Sequence, residues 1–130
     1  LSMKKSLLTV LLAALCLLLC ACGAERSEEE LYSKLLARFS EAGYMPVVSA
    51  LNDDSQVPFA GAAYWRQIDL GEEKVLVYFD ESNRADYLKS FADAERFGTV
   101  VRFGQRFVLA YQGNDAVLTA FLQALDQQMP

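Results

Sequence analysis

The 130-residue chain contains no histidine. That absence removes the Ser-His-Asp triad, the Cys-His pair and every imidazole metal ligand. Basic residues are also in short supply. Twelve Lys and Arg stand against 17 Asp and Glu, a net charge of −5, which is the wrong sign for a protein that holds nucleic acid electrostatically. Cysteine is confined to Cys16, Cys20 and Cys22, so the chain beyond them has no disulfide framework, no CxxC redox motif and no thiolate zinc site. Gly98 and Gly104 are isolated glycines rather than parts of a phosphate-cradling loop.

What is present is unevenly spread. Hydrophobic residues make up 53% of the chain, and much of the excess sits in one run from Leu7 to Ala21. Met3-Lys4-Lys5, with Met3 the expected start, supplies a positive segment just ahead of that run. The run is shorter than the roughly 20 apolar residues that a spanning helix needs, and its length is that of a signal peptide. It ends Leu19-Cys20-Ala21-Cys22-Gly23, which resembles a bacterial lipobox. The resemblance implies that the Cys22 thiol receives a diacylglyceryl group and that cleavage falls just before it. Leu19 would then stand at the −3 site, Cys20 at −2 and the small Ala21 at −1. Cys20 does not fit as the lipidated residue, because Leu19 would occupy a −1 site that needs a small side chain.

This organisation assigns residues 1–21 to a lipoprotein signal peptide, 22–30 to the lipidated Cys and a polar tether, and 31–130 to a single folded domain. Loss of Lys4 and Lys5 with the signal takes 12 basic residues to 10 against 17 acidic ones, a charge of −7. Two or more acyl chains on Cys22 would hold the protein stably at a membrane, where one chain holds only marginally. The expected location is the extracytoplasmic face of a bacterial cell membrane, with membrane lipid as the first partner.

The remainder reads as α+β. Ser27 and Glu30 have capping-box spacing. Leu31, Leu35, Phe39 and Ala42 follow at helical spacing, with Gly43 as the stop. Val47-Val48 marks a short extra strand. Ala63–Leu70 and Lys74–Phe79 are rich in β-formers around a Gly71-Glu72 turn, and Thr99–Phe103 and Phe107–Tyr111 repeat the pattern around Gly104-Gln105. Helices are expected over 82–94 and from Asn114 or Asp115 onward. A shift of 33 residues superposes Gly71 on Gly104, Val75 on Val108, Leu76 on Leu109 and Tyr78 on Tyr111, a correspondence open to either duplication or coincidence. The expected architecture is a small antiparallel sheet of two hairpins, plus the short strand, with three helices packed mainly on one face.

Such a sheet leaves its other face open. Alternation along 64–70 places Trp65 with Gln67 and Asp69, and Trp65, Tyr78 and Tyr111 become the candidate binding face for an envelope protein, peptide or glycan. The competing reading is that these are ordinary strand residues covered by loops.

From Leu31 to Leu125 the chain also resembles a group of small, uncharacterised lipoproteins of Gram-positive bacteria. The shared residues are Glu41-Ala42-Gly43-Tyr44, Phe59-Ala60-Gly61, the run from Val75 to Asp80 and the run from Phe107 to Asp115. At Val100-Val101-Arg102-Phe103 this chain lacks the Trp and the Pro-His pair that the relatives often carry, so a site built on that His is absent. The resemblance implies a lipid-anchored extracytoplasmic domain and supplies no activity.

Chemistry-bearing motifs are sparse. Asp53-Asp54, Glu72-Glu73 and Asp80-Glu81 are adjacent carboxylates without EF-hand spacing, and Arg96, Arg102 and Arg106 form either a small anion patch or surface ion pairs. No metal and no cofactor is expected. The reading is a non-enzymatic binding or accessory module, against the alternative of a carboxylate- or serine-dependent cell-envelope enzyme that works without His.

Overall fold

In the computed structural model, residues 28–126 are described. The lipobox residues Leu19, Cys20, Ala21 and Cys22, and the Ser27 cap, lie outside the described residues. From Lys34 onward the chain forms one compact unit, and the packing below belongs to it.

The first helix, α1, spans 28–41 and stops where the sequence places its glycine. Gly43 has φ +95°, a left-handed conformation that costs a Cβ-free residue little. Its N–H donates to the Ser40 carbonyl and the Tyr44 N–H reaches back to Phe39, both at 3.0 Å. This pair of bonds is a Schellman cap. The accompanying apolar contact is Tyr44 on Phe39, with ring centroids 6.2 Å apart.

Five strands follow: β1 (Val47–Ala50), β2 (Trp65–Asp69), β3 (Lys74–Phe79), β4 (Thr99–Phe103) and β5 (Phe107–Tyr111). They form one sheet in the order β1-β2-β3-β5-β4, and every neighbouring pair is antiparallel. Both expected hairpins are present, the expected short strand adds an edge, and β3 and β5 pair to fuse the hairpins. The helices after α1 are α2 (Ala85–Lys89), α3 (Ala94–Phe97) and α4 (Ala116–Leu125). Asp115, one of the two positions at which the sequence places the start of this helix, caps α4 by accepting from the Leu118 N–H at 2.8 Å.

The helix expected over 82–94 is instead two short pieces. The buried Asp80 carboxylate accepts from the Arg84 N–H at 2.6 Å, and Asn83 turns to φ +56°, which delays helix entry to Ala85. Ser90 Oγ then donates to the Tyr87 carbonyl at 2.6 Å, and Asp93 accepts from the Glu95 N–H at 3.0 Å. Local Ser and Asp side chains compete with the helical ladder and restart it.

Strand register divides the side chains between two faces. One carries Ile68, Val75, Val77, Phe107, Leu109, Val101 and Phe103, all buried. Leu35 and Phe39 of α1 are also buried, as are Leu118, Leu122 and Leu125 of α4. Phe39 meets Phe121 of α4 at 5.1 Å between centroids. The other face carries Trp65, Tyr78, Val108 and Ala110, and here Val57, Phe59, Ala85 and Leu88 pack down. The expectation of helices mainly on one face is therefore corrected. Helix α2 and the segment between β1 and β2 cover the face opposite α4. That segment contains two single 3₁₀ turns, Asp54–Gln56 and Ala62–Tyr64. It shows no helical or strand periodicity, yet it docks Val57 and Phe59 into the core.

The 33-residue correspondence acquires a geometry. Leu76 and Tyr78 face the side of α2, whereas Leu109 and Tyr111 face the other side. Equivalent positions thus turn to opposite faces of the sheet, Val75 and Val108 included.

Candidate functional site

The register also brings Gln67, Leu76 and Ala110 into one row across β2, β3 and β5. This row is the floor of a cavity of about 580 Å³. One wall is the chain leaving β1, with Leu51, Asn52, Asp53 and Gln56; the other is Glu73, Lys74, Tyr111, Gln112 and Gly113.

The first wall is pinned rather than loose. Asp53 accepts from the Ser55 N–H at 3.0 Å and from its hydroxyl at 2.7 Å. These bonds stabilise the carboxylate and hold its pKa below the ordinary value. Asp54 accepts from the Ala62 N–H at 2.6 Å, and Arg96 donates to the Ser55 carbonyl. Beneath them, Trp65 Nε1 donates to the Phe59 carbonyl at 2.7 Å.

The second wall hangs on Tyr111. Its hydroxyl donates to Glu73 Oε2 at 2.6 Å and accepts from the Asp115 N–H at 3.0 Å. Burial, followed by the bond to Glu73, raises the phenol's pKa. The tie joins the tip of the first hairpin to the start of α4. Gln112 Nε2 donates to the Arg96 carbonyl at 3.3 Å, linking this wall to α3.

On the floor, Gln67 Nε2 donates to Asp69 Oδ1 at 2.7 Å, and Ser49 Oγ donates to Asp69 Oδ2 at 3.2 Å. Two side chains differ from these. The Lys74 ammonium is exposed, and neither it nor the Asn52 amide has a hydrogen bond or ion pair among the described residues. The cleft therefore offers one unspent cation, one ionised carboxylate at Asp53 and several amides over a small apolar patch.

The candidate binding face does not assemble as expected. Trp65 and Tyr78 share a face, and their rings lie 5.4 Å apart, but Trp65 is 1% exposed and Tyr78 half-buried. Tyr111 is 1% exposed and points to the other face. Phe59 lies edge-on to both Trp65 and Tyr78 at 5.0 Å and completes the cover. These aromatics are packing residues, and the loop-covered reading of that face is the one observed.

The carboxylate pairs are likewise separated in role. Asp53 and Asp54 staple different parts of the β1–β2 segment, and Asp80 orders the entry to α2. Among the described residues, no group of three or more His, Cys, Asp or Glu side chains is arranged to hold a metal ion. The three arginines do not form one patch: Arg96 binds the Ser55 carbonyl, Arg102 lies 3.6 Å from Asp86, and Arg106 donates to Asn83 at 2.8 Å. Gln67 and Lys74 escaped notice as site residues, although a signal existed. Each is a polar residue on the face that carries Trp65 and Leu76, with Gln67 opposite Leu76 and Lys74 opposite Asp69. No known protein family, characterised protein or solved structure matches the chain.

Proposed function

We propose that this protein is a lipid-anchored extracytoplasmic lipoprotein whose folded part is a non-enzymatic binding module, with the cleft over Gln67, Leu76 and Ala110 as its recognition surface. The observation that carries the reading is the unspent polar chemistry of that cleft. Among the described residues Lys74 and Asn52 make no side-chain hydrogen bond or ion pair, while the walls around them are fixed by the Tyr111–Glu73 and Asp54–Ala62 bonds. A preorganised cleft loses little freedom when a partner enters it. The anchor rests on the lipobox resemblance, with Cys22 as the acylated residue, and no helix among the described residues is long and apolar enough to cross a membrane.

Two measurements test the two halves. Cells carrying the chain are fed a labelled fatty acid. The wild type and Cys20→Ala should take up label and Cys22→Ala should not; equal labelling of all three defeats the anchor. Separately, a photoreactive amino acid placed at Asn52 should give discrete adducts in intact cells that disappear when Lys74 is changed to Gln. Adducts indifferent to Lys74 would remove the cleft as the recognition surface.

A further inference from the structure

The dimensions and charges of the cleft narrow the class of ligand. Its floor crosses three adjacent strands, β2, β3 and β5. Two interstrand spacings of about 4.8 Å make a floor on the order of 10 Å across, the length of about three residues of extended chain at roughly 3.4 Å each. The amides of Asn52, Gln56, Gln67 and Gln112 line it. A primary amide offers two donors and a carbonyl acceptor, which matches the alternating N–H and C=O groups of a peptide. Leu51, Leu76 and Ala110 leave room for small side chains between those polar contacts.

The ionic groups are of both signs. Among the described residues Lys74 makes no hydrogen bond or ion pair, with Asp69 opposite it across the β2–β3 ladder; Asp53 is exposed with its charge stabilised by Ser55, and Glu73 has one oxygen committed to Tyr111. A doubly charged phosphate fits less well than a single carboxylate, since one cation stands near the carboxylates of Asp53, Asp69 and Glu73. A sugar finds no aromatic plane to stack on, because the lining aromatic is Tyr111, 1% exposed. A ligand with one ammonium and one carboxylate meets a complement for each.

We propose that the cleft is a site for a short extended peptide with free termini, its carboxylate on Lys74 and its ammonium on Asp53. The proposal rests on the binding-module reading above and supplies its ligand class. Lys74→Gln removes the cation from an exposed strand position. Asp53→Asn removes the anion yet keeps an acceptor for Ser55, so the wall stays in place.

The test titrates the isotope-labelled full chain, in detergent micelles at pH 7, with tri-alanine, its N-acetylated form, its C-amidated form and chitotriose, following backbone amide shifts. Tri-alanine should give saturable shifts at Asn52, Leu76 and Ala110. C-amidation and Lys74→Gln should each weaken binding about tenfold, and amidation should cost the Lys74→Gln protein nothing further. N-acetylation and Asp53→Asn should behave as the second such pair. Equal affinity for free and capped peptides, tighter binding of chitotriose, or the absence of shifts in the cleft would each overturn the proposal. Lys74-dependent adducts at Asn52 alongside a failed tripeptide titration would discard the peptide and retain the binding module; loss of both would discard the module as well.

Discussion

Truncation of Trp65 is the most direct measure of how firmly the β1–β2 segment closes its face of the sheet. The indole is 1% exposed, lies 5.0 Å from the Phe59 ring and 5.4 Å from Tyr78, and donates to the Phe59 carbonyl at 2.7 Å. Removing a buried aromatic to Ala costs about 3–5 kcal/mol in lost transfer energy and residual cavity. The Phe59 carbonyl also loses its donor, but Phe59 is only half-buried, so water recovers part of that bond and the addition is about 1 kcal/mol or less. The total of roughly 3–6 kcal/mol compares with about 5–15 kcal/mol for a whole domain. It corresponds to a fall in Tm of about 12–48 °C at 4–8 °C per kcal/mol. Trp65→Phe keeps an aromatic ring and forfeits the N–H bond and part of the volume, so it should lose about 1–2 kcal/mol. Thermal melts followed by far-UV circular dichroism measure both, since the single tryptophan cannot serve as a probe of its own removal. A loss below about 1 kcal/mol for Trp65→Ala would mean that the segment does not seal the face and that the packing described above is wrong.

Gly113→Ala should destabilise by about 1–3 kcal/mol, because a Cβ there would come within 2.5 Å of the Tyr111 ring, whose hydroxyl is held by Glu73 and Asp115; an unchanged urea midpoint would contradict that placement. Asp80 controls part of the acid response. Burial alone would raise its pKa, but bonds from the Arg84 N–H, the Arg84 guanidinium and the Ser82 N–H outweigh burial and lower it. A lowered folded pKa means that the ionised group stabilises the protein above the unfolded value of about 3.9, and that this contribution is lost as pH falls through the folded value. Asp80→Asn should therefore cost about 1–3 kcal/mol at pH 7, with the gap to wild type closing below about pH 4. A gap constant from pH 7 to pH 3 in urea titrations would refute the assignment.

Much of the fold is legible because its signals are local. The Gly43 stop, the Gly71 and Gly104 turns and the Asp115 cap each follow from one residue's conformational preference, and the structure uses all four. The errors arise where tertiary contacts decide. Alternation groups Trp65 with Gln67 and Asp69, and the register keeps that grouping, but polarity of neighbours does not reveal what covers a face. The cover comes from 51–64, a stretch with no period to read, which buries Val57 and Ala62. Tyr111 was harder still. All five residues of β5 are buried, so a central strand covered on both sides has no polar–apolar alternation from which its facing can be judged. The cleft was partly visible, since Asp53 stands out as a carboxylate beside a turn. That Asp53 lines the same cleft as Lys74 and Gln67 depends on strand order, which no local pattern specifies.

The two faces of the sheet are closed by different parts of the chain, and they differ in how far apart along the sequence their covers lie. The face bearing Trp65 and Val108 is covered by the middle of the polypeptide, through Val57, Phe59, Ala85 and Leu88. The face bearing Val75 and Leu109 waits for Phe39 of α1 to meet Phe121 of α4, residues from opposite ends of the described chain. A nascent polypeptide that has not yet released α4 holds a row of apolar strand residues uncovered, and long-range closure of this kind is slow compared with local pairing. Docking of α4 is therefore the step that seals the core, and a chain cut before Ala116 would expose that row of apolar strand residues.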